Sequence, residues 1–542
     1  MSKAVEKIRS ELEEKLSSTL WASLQDELEQ FEKLAPESPD YRSLKIYFEG
    51  VSKLPWKKKT IDQLDPEQFY KKIDRYHVGR DKLKQQIVEY IAVASLKHSL
   101  KGPVFCFFGP PGVGKTNLAY AIADALGRNI IEFNLSDLET EKALRGGKRG
   151  RKSPGFGRIL EGLIKSEVLN PVILLKEIDQ PGSRWATDPA TTLLRLFDPE
   201  ENSTFRDNYL GLPFDLSDIL FMTTANSIYE IPFRLRDRLE SFQLSAYTPE
   251  EKLRIVKKNL LPDEIEASGL KSEQIKITDT NLLFLINRYT REAGVHYLEH
   301  LLAQLCRGAA YRLHTTREKK ISFDEPMMLE ILGPPRHYPQ LREQTLRPGV
   351  VTGLVWTSLG GDIVFVEVSM MPGKGKVSVT GQIGEVMKES CDIAVSYIRA
   401  EAKRFGLDID FNKKDIHIHV PTGSIQKDGP SAGITILTAL SSWLLQKTVD
   451  PSLAMTGEIT LRGAILRVGA IKEKVIAAHR AGIKTVIIPK SNEQDLTDIT
   501  DEVLSCLTIK LVENVDQVLE LVMANPGPNK KVVLSSSPSG RI

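Results

Sequence analysis

Two residues have surroundings that could support nucleophilic chemistry: a serine on a glycine-flanked turn and a lysine on an apolar helix face. The serine is Ser431 in Lys427-Asp-Gly-Pro-Ser-Ala-Gly433, followed by an apolar helical run. The lysine is Lys474 in Ile471-Lys-Glu-Lys-Val-Ile-Ala-Ala-His479. A turn into a helix exposes the hydroxyl, and neighbouring backbone N–H groups can stabilise a developing oxyanion. Serine needs a base at neutral pH, and a lysine serves only where desolvation pulls its pKa from about 10.4 toward neutrality. Ile471, Val475 and Ile476 flank Lys474 on the predicted inner face, whereas Lys472 falls on another face, so Lys474 is the better base. Spacing alone carries little weight, because surface serines and helical lysines are common. His417 and His419 alternate on a predicted strand without a third ligand of fixed spacing. Packed or hydrogen-bonded histidines are therefore a better reading than a metal site or a triad.

A second constellation would hold phosphate. Gly109-Pro-Pro-Gly-Val-Gly-Lys-Thr116 fits the phosphate-loop pattern and sits between a predicted strand and a predicted helix. Gly109, Gly112 and Gly114 let backbone N–H groups wrap a triphosphate, Lys115 reaches its terminal phosphates, and Thr116 is the expected magnesium ligand. Hydrolysis also needs an apolar strand ending in a metal-organising carboxylate and a water-polarising Glu. Here the strand ends in Lys176-Glu177. An ammonium at that point repels magnesium and can itself neutralise phosphate, so nucleotide binding without turnover is expected. The alternative has Lys176 swung to solvent and Asp179 taking over the metal. Asn226 is placed to orient water, and Arg238 could reach a neighbouring subunit's nucleotide, which requires a ring of subunits; both could instead be structural.

The elements that must position these residues fall into several units, since 542 residues exceed what one core supports. Residues 1–75 read as a helical arm, with Leu12, Leu16, Leu20, Leu24, Leu28 and Phe31 at helical spacing among dense charge. Residues 76–247 alternate short apolar strands with helices, an α/β nucleotide-binding layout on a mostly parallel sheet. A helical stretch at 248–335 leads to a proline-rich linker at 336–348. Mixed strands and helices occupy 349–525, and 526–542 read as an unstructured tail. The formal charge of +2 exerts no global pull toward nucleic acid or membrane. Four scattered cysteines argue against a disulfide frame or a zinc site and suit buried free thiols in a reducing compartment. Neither a signal peptide nor a membrane span is visible, so the cytoplasm is the expected location.

Taken together, the motifs resemble the Lon protease family from about residue 5 to residue 523. They include FxGPPGVGKT, LxDPE at 196–200, PFDLS at 213–217, YTREAGV at 289–295, GEVMKES at 384–390, HVPTG at 419–423, KDGPSAG, MTGEITLRG at 455–463 and IKEK. The resemblance implies a multidomain α/β chain: an AAA+ α/β module with a helical lid, then an α+β Lon-type serine protease domain. It further implies a Ser431–Lys474 dyad, a homo-hexameric ring enclosing a proteolytic chamber, Thr456 holding the Lys474 amine, and Asp428 and Glu385 near the site. Departures from the family fall in the motor. Lys176 stands where Lon enzymes carry Asp, and His296 stands where the lid has a sensor arginine. The pore-loop pair becomes a basic, glycine-rich stretch at 145–158. That stretch reads as a mobile, solvated loop in preference to a nucleic-acid contact, since Phe156 is its only aromatic. With the family's N-terminal substrate-binding domain also expected to be missing, the chain reads as an ATP-independent endopeptidase for unfolded polypeptides. It would need no cofactor for proteolysis, while ATP or ADP could still bind. The alternatives are an ATP-dependent Lon and a ring-shaped chaperone or DNA-binding scaffold with a vestigial protease.

Overall fold

The computed structural model describes residues 3–523 apart from 138–140, 150–153, 181–188, 317–318, 338–346, 358–359, 407, 422–427 and 500. The linker and tail expectations fall largely outside the described residues, as do Arg151 and Lys152 of the basic stretch and Lys427 beside the serine turn. Two compact units emerge, Met1–Ile275 with Gly294–Ile321, and Lys276–Ala293 with Ser322–Ile542.

The first unit begins with three helices, α1 (Lys3–Lys15), α2 (Ser18–Lys33) and α3 (Pro39–Lys53). Ser17 and Ser38 cap the second and third, and Pro39 occupies the first turn of α3, where a missing N–H costs nothing. The helical spacing seen in sequence buries Leu12, Leu24, Leu28 and Phe31, and these join one core with the sheet beyond. That sheet has five parallel strands: β1 (Val104–Phe108), β2 (Ile130–Asn134), β3 (Val172–Lys176), β4 (Leu220–Ala225) and β5 (Leu239–Gln243), in the order β2-β3-β4-β1-β5. β1, β3 and β4 are almost wholly buried, which is why they read as unbroken apolar runs. Helix α4 (Lys115–Leu126) follows the phosphate loop and is capped by Gly114 with no side-chain bond, which leaves its first N–H groups available. Helix α5 (His296–Thr316) brings His296 beside Gly112.

The second unit is built on a seven-stranded mixed sheet. Its strands are β6 (Val350–Thr357), β7 (Gly360–Pro372), β8 (Val377–Thr380), β9 (Lys414–His419), β10 (Leu453–Met455), β11 (Thr485–Pro489) and β12 (Thr508–Val512), in the order β8-β9-β7-β6-β10-β11-β12. Helices α6 (Glu385–Glu401), α7 (Gly433–Leu445) and α8 (Ile471–Arg480) position its chemistry. The apolar run behind Ser431 becomes α7, buried from Gly433 to Ser442. Among the described residues no helix is long and apolar enough to cross a membrane.

Two expectations need correction. Cys506 is exposed, while Cys106, Cys306 and Cys391 are buried free thiols. The described part of the basic stretch is exposed at Lys148, Pro154 and Arg158, as expected, but it is anchored and not a free loop. Gly147 bridges Gly155, and the Arg149 guanidinium lies 4.1 Å above the Tyr47 ring while pairing with Glu27 at 2.7 and 3.2 Å. Phe156 packs against Tyr209 with ring centroids 4.9 Å apart and planes at 79°. The arm supplies Tyr47 and Glu27 from a distance in sequence that no local pattern reveals.

Candidate active site and nucleotide cleft

Ser431 lies in the short 3-10 turn Pro430–Ala432, entered through Gly429 at φ +130, a backbone conformation that suits glycine. Its carbonyl accepts two hydrogen bonds, from Gly457 N at 2.9 Å and from the Thr456 hydroxyl at 3.2 Å. Thr456 follows β10 and is fully buried. The Lys474 ammonium donates to Thr456 Oγ1 at 3.1 Å, so a chain of two hydrogen bonds runs from the amine to residue 431. Among the described contacts the amine does not yet bond the Ser431 hydroxyl. Such contacts commonly tighten only when substrate is bound.

Lys474 is 2 % exposed, between Val475 and Ile471 on the inner face of α8, while Lys472 is only half-buried. Burial pulls its amine down to about 8, and the Glu473 carboxylate pulls partly the other way. The turn is braced from α6. Asp428 Oδ1 accepts from Met387 N at 3.0 Å, and the Ser390 hydroxyl donates to Pro430 O at 3.2 Å. A carboxylate near a helix N-terminus also suits the helix dipole. Glu385 opens α6 and is exposed. Ser390 and Gly384 lie in a quoted motif, yet their roles show only in three dimensions. A Cβ on Gly384 would fall 2.2 Å from Asp428 Cγ, and one on Gly361 would fall 2.0 Å from Glu473 O. His417 Nε2 and His419 Nδ1 share the Thr380 hydroxyl at 2.9 and 2.7 Å.

The phosphate-loop residues come together in the first unit. Gly109, Gly112 and Gly114 all have positive φ, and a Cβ on Gly109 would meet Leu244 O at 2.0 Å. Lys115 Nζ donates to Gly109 O, Pro110 O and Asn226 Oδ1, and burial lowers its pKa to about 8 against the pull of Asp179 and Glu177. A cleft of about 260 Å³ lies beside the loop, lined by His77, Gly112, Lys115, Thr116 and Tyr247 among others, with His296 beside Gly112 in the lining. These residues fit a nucleoside polyphosphate.

They do not fit magnesium in the same way. Mg²⁺ is held by oxygen, usually one or two carboxylates besides the phosphates. Lys176 ends β3 with its ammonium 3.2 Å from Glu132 of β2. Its side chain is held against that carboxylate and is 30 % exposed. Asp179 is only half committed, since Oδ2 accepts from Asn226 N and Ser227 N at 2.7 and 3.2 Å while Oδ1 is buried without a hydrogen-bond partner. Glu177 adopts a positive φ of 59, with its N–H on Thr224 Oγ1. Arg238 pairs at 3.0 Å with Asp198 of its own chain.

Comparison with known proteins locates these sites in a family. Residues 322–525 match the Lon protease (S16) C-terminal proteolytic domain. The chain belongs to the Lon protease family. Residues 266–322 match the Lon protease AAA+ ATPase lid domain, and 105–247 match the ATPase family associated with various cellular activities. The chain is 46% identical over 499 residues to a Lon protease of Syntrophus aciditrophicus (strain SB), covering 92% of this chain and 63% of that one. It is 45% identical over 495 residues to Lon protease 1 of Bacillus subtilis (strain 168), covering 91% and 64%. It is 43% identical over 533 residues to Lon protease 2 of Thermus thermophilus, covering 96% and 66%. The chain thus spans a little under two thirds of the length of these Lon relatives. An AAA+ module with its lid, followed by a Lon protease domain, is the architecture of this α/β chain.

Proposed function

We propose that the chain is a serine endopeptidase that cleaves unfolded polypeptides by acyl transfer and needs no ATP to do so. The observation that carries this reading is the buried Lys474 amine, held at about 8 and tied through Thr456 to the serine turn. At neutral pH such an amine is deprotonated in an appreciable fraction of molecules, unlike a solvated lysine. Ser431 Oγ attacks the scissile carbonyl as Lys474 Nζ accepts its proton, giving a tetrahedral oxyanion that backbone N–H groups at the turn stabilise. On collapse the same nitrogen returns the proton to the leaving amine, leaving an ester on Ser431. Water, activated by Lys474, then hydrolyses that ester. Thr456 keeps the amine aimed, and Asp428 keeps the turn seated on α6.

ATP independence is supported by the changed motor residues: Lys176 paired with Glu132, and His296 on the cleft wall. A homo-oligomeric ring, most simply a hexamer, follows from family membership and would enclose the serines in a chamber open to threaded, unfolded chains. The test is casein cleavage by the purified protein without nucleotide. Cleavage is expected, and Ser431→Ala and Lys474→Met should each abolish it. Activity surviving in either variant contradicts the assignment.

A further inference from the structure

The nucleotide cleft lacks the metal-organising carboxylate of its motif, yet the rest of the site is built. Two features line it, and a third stands outside its lining on the same edge of the sheet. The N-terminus of the twelve-residue helix α4 has no side-chain cap and presents its N–H groups toward the phosphate loop. His77 lines the cleft at 3 % exposure, and both of its ring nitrogens lack a hydrogen-bond partner; Nε2 lies 3.0 Å from where a Cβ on Gly114 would stand. An unpaired buried imidazole is costly unless something fills its needs. Burial also keeps this ring neutral, with its pKa near 3, so it offers one donor and one acceptor and suits a base or sugar edge better than a phosphate.

The third feature is Lys176. It ends β3 at the carboxyl edge of the parallel sheet, the edge from which the phosphate loop also rises. Its ammonium shares Glu132 Oε2 with the Tyr120 hydroxyl, which donates at 2.7 Å. Tyr120 stands one helical turn beyond Thr116 on α4, so the cluster flanks the residue expected to hold magnesium. Tyr120 holds Glu132 in place and lowers its pKa, and Lys176 adds to that. With side chains 30 % and 44 % exposed, the ion pair is weak, so the ammonium can turn from Glu132 to a phosphate oxygen at little cost. A lysine serves phosphate as a mobile point charge.

We propose that this cleft binds a nucleoside di- or triphosphate without a divalent cation, the Lys176 ammonium supplying the positive charge a metal would bring. The inference extends the ATP-independent reading: the site is a ligand-holding element of the structure and not a motor. Casein cleavage is read separately, so failure here leaves the protease assignment untouched.

The experiment is a fluorescence-anisotropy titration of the full chain with a fluorescent ADP analogue, in magnesium and in EDTA. The dissociation constant should agree between the two conditions within about twofold. Lys176→Asp should weaken binding in EDTA by about tenfold or more and regain it with magnesium. Glu132→Gln, which frees Lys176, should tighten binding in EDTA, and thermal melts establish that both variants fold. Unlabelled ADP should displace the probe well below the concentration at which inorganic tripolyphosphate does. Loss of the parent's binding in EDTA, no binding in either buffer, or an unchanged metal response in Lys176→Asp would overturn the proposal. Equal displacement by tripolyphosphate would overturn its nucleoside part.

Discussion

Lys474 carries a cost that the fold tolerates. Its pKa is about 8 in the folded chain and about 10.4 when unfolded, so between these values the unfolded state binds more protons. Stability therefore rises as pH climbs from about 8 to about 10.4, and the full cost of the buried ammonium is present below that window. Lys474→Met should remove it, raising stability near neutral pH by about 1–3 kcal/mol in denaturant unfolding while proteolysis disappears. A loss of stability in that variant would mean that the amine is compensated by partners. Thr456→Val keeps the shape of the residue but breaks both links from the amine to Ser431 O. Its kcat should fall by about 10-fold or more with KM little changed, measured on a fluorogenic peptide.

At the level of elements, the serine turn is only as well placed as its seat on α6. Gly384→Ala would force a Cβ to 2.2 Å from Asp428 Cγ and dislodge the Asp428 bond to Met387 N. Activity should fall sharply while circular dichroism stays native; retained activity would show that the turn holds itself. In the other unit, Arg149→Ala should destabilise the docked arm by about 1 kcal/mol, through the lost cation–π contact on Tyr47. The burial of α7 and the strand character of β1, β3 and β9 were legible because apolar periodicity is a local property. So was the choice of Lys474 over Lys472, which rests on helix faces. Ser390 and Gly361 were not legible as parts of the site, because their partners Pro430 and Glu473 come from other segments. The Lys176–Glu132 pair escaped for the same reason: strand register sets it, and register is a property of the sheet.

At the scale of the whole molecule, an AAA+ module in which Lys176 ends β3 is followed by a protease domain with a buried amine. Casein should be degraded at the same rate with and without ATP and magnesium, and Lys176→Asp should not slow it. An ATP requirement in the parent would overturn the uncoupled reading while leaving the dyad in place. The dyad itself is read most directly by the rate at which a fluorophosphonate labels the intact assembled protein, located by mass spectrometry at each pH. Labelling should fall on Ser431, rise about tenfold per pH unit below about 8 and level off above it, and vanish in Lys474→Met. A rate that is flat with pH, or a label on another residue, would contradict a hydroxyl activated by that buried amine.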